Sequence, residues 1–313
     1  MNTARVINVP DAVRRSVESQ GPAGRAWLAA LPSLVDELAH AWSLSLGETL
    51  DGGNWSYVAR AQASDGTTAV LKIALPTPEF RQQLDTIVAA AGNGYVQLYD
   101  ADPARCALLM ESLGPRLSVA GDSVEHILEV LAAMLRQAWQ IPRTAAPLTA
   151  PGFDKASGLI RFLDEPWPRG QQPCSPRLIA HARVLAERRA AASDLDAVVC
   201  HGDPHADNAL AVLAPRPGAE HGFVFVDPDG FLCEPAYDLG VAMRGWASHV
   251  LGADDPVALT HAWSARLAEA TGVDEQTIWE WALIERVTSG LYLTRHGHRD
   301  EGRNFLASAE RLV

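Results

Sequence analysis

The sequence predicts an α+β fold with two lobes, a small N-terminal antiparallel β-sheet lobe followed by a larger, mainly α-helical C-terminal lobe. Three observations predict it. The chain has 313 residues, which suffice for two buried cores. Strand patterns bounded by turn signals are concentrated before residue 111, and helical spacing of apolar residues dominates after residue 116. We expect an N-terminal lobe at 1–110, with a helical extension to about residue 44, a hinge at 111–115, and a C-terminal lobe at 116–313.

The predicted N-terminal lobe begins with a helix at 22–42 and continues as strand, strand, strand, helix, strand, strand. Ser64-Asp65-Gly66 is a hairpin turn signal between two strand patterns. Thr77-Pro78 is typical of a helix start. The elements whose limits the sequence predicts are strands at 55–63 and 67–74, a helix at about 78–91, and strands at about 95–100 and 105–111.

The predicted C-terminal lobe is mainly helical. Residues 123–140 place their apolar side chains on one face, and Asp122 is the expected N-cap. Short apolar runs between the later helical patterns predict strands. The further elements are helices at 176–193, 236–249, 256–271 and 275–296, and strands at 197–200, 209–213 and 222–227.

The charge of the chain restricts its partners. With 26 basic and 38 acidic side chains the formal net charge is −12, which argues against nucleic acid or an anionic membrane as a partner. The four cysteines have no metal-type spacing, and we find neither an export signal nor an apolar run of the roughly 18–20 residues that a membrane span needs. We therefore expect a cytoplasmic protein that acts on a small molecule, with a monomer as the favoured state.

Lysine is scarce in this sequence. Of the 26 basic residues, only Lys72 and Lys155 are lysines. Lys72 lies in the middle of a predicted strand, Ala69-Val70-Leu71-Lys72-Ile73-Ala74, and is the only lysine before residue 111. A compact ammonium retained in an arginine-rich chain suggests a specific need for lysine there. The sequence assigns no role to Lys155.

The densest polar cluster is the segment from Cys200 to Asn208, Cys-His-Gly-Asp-Pro-His-Ala-Asp-Asn, directly after an apolar strand. Glycine and proline preclude regular structure there, so the polar groups lie on a loop. The strand after the loop should pair with the strand ending near Asp227, which makes Asn208 and Asp227 neighbours. Carboxylate and amide oxygens that converge in this way suit Mg²⁺ rather than zinc.

The spacing of Asp203, Asn208 and Asp227 is also the pattern of kinase catalytic machinery. In kinases, one aspartate orients and deprotonates the acceptor hydroxyl, the asparagine holds metal, and the later aspartate bridges metal to the phosphates. Phosphoryl transfer further needs a cation on the phosphates, for which Lys72 is the candidate. Glu79, at the start of the following helix, could hold Lys72 in an ion pair.

The motif His-Gly-Asp-x-His-x-x-Asn at 201–208, the Val-Leu-Lys strand and Val226-Asp227-Pro228 resemble the aminoglycoside phosphotransferase family of small-molecule kinases. The segments at 226–235 and 108–114 are similar to its streptomycin 6-phosphotransferase and hydroxyurea phosphotransferase branch. The resemblance covers about residues 45–245. It implies a protein-kinase-like fold that transfers the γ-phosphoryl of ATP, with Mg²⁺, to a hydroxyl of a small cationic antibiotic such as streptomycin.

The resemblance also implies roles for individual residues. Asp203 would be the catalytic base, and Asn208 and Asp227 the Mg²⁺ ligands. The remaining assignments concern ATP: Lys72 with Glu79 on the phosphates, the loop containing Gly53, Asn54 and Ser56 over the β- and γ-phosphates, and the backbone of Glu111, Ser112 and Leu113 against adenine. Three departures weaken the match: residues 52–57 lack a Gly-x-Gly-x-x-Gly motif, Asp227 is followed by Pro-Asp-Gly, and the helix carboxylate could instead be Asp85.

Other readings of these residues stay open. His201 and Asp238 are expected to have structural roles, Asp238 by accepting hydrogen bonds from buried backbone groups. Glu234 and Asp229 are candidate substrate contacts, and Asp229 could equally be a turn residue. The alternatives for the whole chain are a kinase of a peptide antibiotic of the viomycin or capreomycin type, of hydroxyurea or of a metabolite, a non-catalytic nucleotide-binding module, and a metallohydrolase suggested by the histidines and aspartates at 201–207.

Overall fold

A computed structural model of the chain describes residues 7–51, 55–146, 154–168, 171–192 and 196–313. The N-terminal part contains three helices and a five-stranded antiparallel sheet with the strand order β1-β2-β3-β5-β4. The helices are α1 (Asp11–Glu18), α2 (Pro22–Ala41) and α3 (Glu79–Ala90). The strands are β1 (Leu44–Thr49), β2 (Ser56–Ala63), β3 (Thr68–Ala74), β4 (Leu98–Asp102) and β5 (Ala107–Glu111).

The middle strand of this sheet, β3, is covered on both faces. Leu71 and Ile73 pack with Leu31 and Val35 of α2 in one hydrophobic cluster. Because alternate residues of a strand point to opposite faces, Lys72 points the other way, toward the side covered by α3. Pairing of β3 with both β2 and β5 places Lys72 in the interior of the sheet rather than at an edge. A lysine in this position needs polar partners.

The C-terminal part is mainly helical and has its own core. The chain leaves the first sheet after Glu111 and immediately forms β6 (Leu113–Arg116), which pairs with β8 in a second, three-stranded sheet. The helices of this part are α4 (Val124–Ala138), α5 (Lys155–Leu163), α6 (Pro176–Ala190), α7 (Ala236–Arg244), α8 (Ala247–Gly252), α9 (Pro256–Thr271), α10 (Glu275–Arg295) and α11 (Arg299–Glu310).

Helices α7 and α10 are in close contact. A Cβ added at Gly240 of α7 would lie 2.6 Å from the Cβ of Trp281 in α10, so glycine permits this approach. This contact fixes the distance between the side chains that α7 and α10 direct toward the cleft between the N-terminal and C-terminal parts.

Two short sheets hold the polar segments of the C-terminal part. The strand β7 (Val198–Cys200) pairs with β10 (Phe231–Cys233), and β8 (Ala209–Val212) lies between β6 and β9 (Phe223–Phe225). The 201–208 loop therefore runs from β7 to β8, and residues 226–230 run from β9 to β10. Val226 donates its N–H to the carbonyl of Asn208 at 2.9 Å. This contact confirms that the two loops meet at one end of the β8–β9 hairpin.

The structure differs from the sequence prediction at several elements. Ser123, not Asp122, caps α4, because its hydroxyl accepts the N–H of His126 at 3.3 Å. The helix predicted at 236–249 is two helices, α7 and α8, separated at Gly245-Trp246. The helices α1, α5 and α11 were not predicted. Among the described residues, no helix has the length and apolar character needed to cross a membrane.

Candidate active site

The loop after β7 is organised by the buried carboxylate of Asp238, near the start of α7. Its Oδ2 accepts the N–H of His201 and the indole N–H of Trp139, and its Oδ1 accepts the N–H of Gly202, each at 2.9 Å. Burial raises the pKa of Asp238 to about 6, although these hydrogen bonds oppose the shift. The role expected from the sequence is therefore present: Asp238 satisfies backbone donors that have no partner in a sheet or helix.

Replacing Asp238 with alanine should destabilise the protein by about 3 kcal/mol, because two buried backbone donors and one part-buried indole N–H would lose their acceptor. The measurement is urea unfolding followed by circular dichroism. Asp254, an exposed residue between α8 and α9, provides the control, and its replacement by alanine should change stability by less than about 0.5 kcal/mol. Equal stability of the two variants would show that Asp238 does not organise the loop.

His201 connects the two polar loops. The ring is fully buried, its Nδ1 accepts the N–H of Asp203 at 3.1 Å, and its Nε2 donates to the carbonyl of Val226 at 3.0 Å. Burial lowers the pKa of His201 to about 4, so the ring is neutral at physiological pH and carries its proton on Nε2. In this tautomer the imidazole fixes the backbone of Asp203 relative to the residue before Asp227, which is a structural role.

Both oxygens of the Asp203 carboxylate have partners. Arg244, at the end of α7, donates to Oδ1, and the ring of His205 and the amide of Asn208 lie 3.3 and 3.4 Å from Oδ2. Burial alone would raise the pKa of Asp203, but the Arg244 guanidinium and a hydrogen bond from His205 hold it well below its ordinary value. About a third of the side chain is exposed to the cleft. Asp203 is therefore an ionised, accessible and firmly oriented carboxylate.

Arg244 is itself held by a second acid. Its Nη1 donates to Glu285 Oε2 of α10 at 3.1 Å, and Glu285 is buried. The pairing of Arg244 with Glu285 beside the loop was not predicted from the sequence, because the two residues come from two helices with no motif around them. Only the close packing of α7 on α10 brings them to the 201–208 loop.

The candidate metal ligands lie side by side. Asn208 donates its amide N–H to the carbonyl of Asp203 at 2.9 Å, which leaves the Asn208 side-chain oxygen as the free donor atom for a cation. Asp227 has a backbone φ of 58°, an unusual conformation for a non-glycine residue that often marks functional positions. No group of three or more His, Cys, Asp and Glu side chains with metal-site geometry occurs in the described part of the chain. The oxygen donors suit Mg²⁺, which takes its remaining ligands from phosphates and water.

Lys72 lies directly against this pair. Its Nζ is 2.5 Å from Asp227 Oδ1 and 3.2 Å from the side-chain oxygen of Gln83 in α3. The predicted ion pair with Glu79 is absent from the structure, because Glu79 is exposed at the first turn of α3 and Gln83 lies one turn deeper. The alternative, Asp85, pairs with Arg81 instead. Gln83 is uncharged, so nothing in the sequence marks it as a partner of Lys72.

Gln83→Ala should raise the KM for the nucleotide about fivefold, because Lys72 would lose one of its two orienting contacts. Glu79→Ala is the matched control on the same helix and should leave this KM unchanged. Steady-state kinetics with varied nucleotide distinguishes the two. If Glu79→Ala raised this KM more than Gln83→Ala, Glu79 and not Gln83 would be the residue that orients Lys72.

The loop at 227–230 packs against the same helix. Gly230 has a φ of 69°, and a Cβ added there would lie 2.0 Å from Thr86 Oγ1 in α3. Helix α3 thus contacts both Lys72 and the segment that carries Asp227. Asp229 projects into the cleft from this loop, and its N–H donates to the His201 carbonyl at 2.7 Å.

Two cavities meet at Ser56, Lys72 and Asp227. The smaller, of about 140 Å³, has apolar walls and lies between the sheet and β8. The larger, of about 620 Å³, reaches from Gln20 and Trp55 to Asp229 and Tyr292. The apolar residues of the smaller cavity include Val58, Val70, Val96, Met110, Leu210 and Val226. This arrangement can hold a flat apolar group in one cavity and a charged extension beside Lys72 and Asp227.

The remaining predicted residues are placed as follows. The Glu111 carboxylate accepts hydrogen bonds from Arg216 and from the N–H of Gln97. Because these contacts occupy the side chain, the backbone of Glu111 is the part available to a ligand. Leu113 lines the smaller cavity, and the Ser112 hydroxyl lies 3.5 Å from Arg60. Glu234 accepts the indole N–H of Trp281 at 2.7 Å and lies 3.7 Å from Arg189. Gly53 and Asn54 lie outside the described residues.

Comparison with known proteins gives one family. Residues 41–297 match the family model of the aminoglycoside/hydroxyurea antibiotic resistance kinases. A streptomycin 6-kinase from Streptomyces glaucescens is 28% identical over 296 residues, which cover 93% of this chain and 92% of that protein. A hydroxyurea phosphotransferase from Kitasatospora aureofaciens is 27% identical, over 98% of this chain and 86% of that protein.

Solved structures show the fold. A choline kinase from Streptococcus pneumoniae superimposes with a TM-score of 0.58 at 15% identity, covering 90% of this chain and 98% of its own. An amicoumacin kinase in complex with AMP-PNP, Ca²⁺ and Ami gives a TM-score of 0.54 at 12% identity, covering 89% of this chain and 92% of its own. These matches confirm the predicted bilobal kinase-like fold.

Proposed function

We propose that this chain, which belongs to the aminoglycoside/hydroxyurea antibiotic resistance kinase family, phosphorylates a hydroxyl of an aminoglycoside, with streptomycin as the first candidate. The protein is a small-molecule phosphotransferase, as its relatives are. The streptomycin 6-kinase among these relatives supports the choice of acceptor. The observation that carries the proposal is the ionised, oriented carboxylate of Asp203 beside Asn208, Asp227 and Lys72.

ATP and Mg²⁺ are the proposed cofactors. Adenine would occupy the smaller cavity against the backbone of 111–113, and the phosphates would extend toward Lys72. Asn208 and Asp227 would hold Mg²⁺, which when bound neutralises phosphate charge. A structural neighbour that contains AMP-PNP and Ca²⁺ supports the use of a nucleotide and a divalent cation. Ser56 lines both cavities, where it would face the phosphates.

The proposed reaction relies on positioning and charge. Lys72 binds and orients the phosphates, and Asp203 orients the acceptor hydroxyl and accepts its proton. The acceptor oxygen forms a bond to the γ-phosphorus as the bond from that phosphorus to the bridging oxygen of ADP breaks. The pKa of Asp203 lies well below its ordinary value, so proton transfer to it is favourable only once the new phosphate ester is forming.

An acceptor with positive charges suits the cleft. Asp203 and Glu285 lie close enough to Asp229 to oppose its ionisation. Residues 111–313 carry 27 of the 38 acidic side chains, so the helical part attracts cations. A reaction that consumes ATP suits a cytoplasmic protein, which is the location we propose. The proposed oligomeric state is a monomer.

The test is an ADP-release assay coupled to NADH oxidation, with ATP, Mg²⁺ and four acceptors: streptomycin, another aminoglycoside, a tuberactinomycin-type peptide and hydroxyurea. We expect streptomycin-dependent ADP release, with the phosphorylated product seen by mass spectrometry. Activity on the peptide or on hydroxyurea alone would assign the alternative acceptors. ATP binding without transfer to any of the four would contradict the proposal and favour a non-catalytic nucleotide-binding module.

A further inference from the structure

Lys155 is the second of the two lysines, and the proposed reaction does not use it. It is the first residue of α5, far in sequence from the polar loops. The structure nevertheless places its Nζ 5.2 Å from the ring centroid of Phe231 and 5.1 Å from that of Tyr237. These two rings meet edge to face, with centroids 5.3 Å apart, so one ammonium group contacts both.

These aromatic rings adjoin the 201–208 loop. The Tyr237 hydroxyl donates to the Gly202 carbonyl at 3.3 Å, and a Cβ added at Gly202 would lie 2.8 Å from Phe231. The same Cβ would lie 2.7 Å from a carboxylate oxygen of Asp229. Phe231, Tyr237 and Asp229 therefore surround the residue that precedes the candidate base.

Two aromatic faces and a carboxylate are the usual components of a binding site for an organic cation. Lys155 holds its position through the two rings. Within the described residues it has no ion pair at 4.0 Å or less and no hydrogen bond from its ammonium group. Arg244, in contrast, is fixed between Asp203 and Glu285. Lys155 is therefore less firmly held than Arg244.

We propose that Phe231, Tyr237 and Asp229 form a cation subsite for the acceptor, which Lys155 fills until a guanidinium or ammonium group of the acceptor displaces it. The inference rests on the proposed function for the cationic nature of the acceptor. That residue 155 is lysine rather than arginine supports the displacement. Arginine would stack on the rings and bind Asp229 with two hydrogen bonds, whereas the ammonium of lysine is compact and strongly hydrated, so its release into the cleft costs less.

The test compares Lys155→Met, which keeps the length of the side chain and removes its charge, with Lys155→Arg. With streptomycin as acceptor, Lys155→Met should lower the KM for streptomycin about fivefold and leave kcat and the KM for ATP unchanged. Lys155→Arg should raise the KM for streptomycin. A fall in kcat for Lys155→Met with an unchanged or higher KM would overturn the inference, because Lys155 would then act on transfer or on folding.

A binding measurement separates this inference from the proposed function. Calorimetric titration with agmatine, which carries a guanidinium and an ammonium group, should show tighter binding to Lys155→Met than to the unmodified protein. Adding Phe231→Leu to Lys155→Met should abolish the gain. If streptomycin is not phosphorylated, the proposed function is wrong, but the agmatine titration still shows whether the cation subsite exists. Equal agmatine affinity of the unmodified protein and Lys155→Met would exclude the subsite even if streptomycin is a substrate.

Discussion

Asp203→Asn should lower kcat about 1,000-fold and leave the affinity for ATP nearly unchanged. Asparagine keeps an oxygen to accept the hydrogen bond from Arg244, so the loop should retain its shape. It cannot accept the proton of the acceptor hydroxyl. The loss would therefore appear in the chemical step, measured as kcat in the coupled assay and as ATP affinity by calorimetry.

The control for this variant is Asp164→Asn. Asp164 is also an aspartate paired with an arginine, Arg183, at 2.8 Å, but on the surface of the helical part. We expect its replacement to leave kcat unchanged. If the kcat of Asp203→Asn lies within a factor of about three of that of the unmodified protein, Asp203 is not the base. General base catalysis contributes far more to the rate than such a loss.

Lys72→Met should lower kcat/KM for ATP about 100-fold, because the phosphates would lose their fixed cation. Lys72→Arg should not restore activity, since Lys72 is buried within β3 and a planar guanidinium presents its donors in a different geometry from a compact ammonium. The loss should include a higher dissociation constant for ATP, which calorimetry measures directly.

Arg60→Met on the neighbouring strand β2 is the control for charge alone. Arg60 is exposed and pairs with Glu48 at 2.9 Å. We expect its removal to change kcat/KM for ATP less than twofold, as for most exposed ion pairs. If both variants lose activity equally, the effect of Lys72→Met reflects the net charge of the lobe rather than a contact with phosphate.

The site residues that could be predicted from the sequence belong to patterns of residues close together in the chain. The residues 201–208 form one loop, and the pairing of β8 with β9 follows from two apolar runs and a turn, so Asn208 and Asp227 could be placed together in advance. Lys72 could be placed because a lysine in the middle of an apolar strand is rare in this chain.

The residues that the sequence did not reveal depend on how separate helices pack. Gln83 instead of Glu79 contacts Lys72 because of the depth at which α3 sits on the sheet, which periodicity does not specify. Arg244 pairs with both Asp203 and Glu285 only because α7 lies close to α10. Lys155 reaches Phe231 and Tyr237 from a helix that the sequence pattern did not predict.

The contacts of α3 have a consequence for product release. Gln83 of this helix touches Lys72, and Thr86, one turn later, packs on Gly230 beside Asp227. A rotation of the N-terminal part that lifted α3 away would disturb Lys72 and the 227–230 loop in the same movement. We therefore expect the phosphate end of the cleft to open in a single step, so that ADP and the divalent cation depart together rather than in sequence.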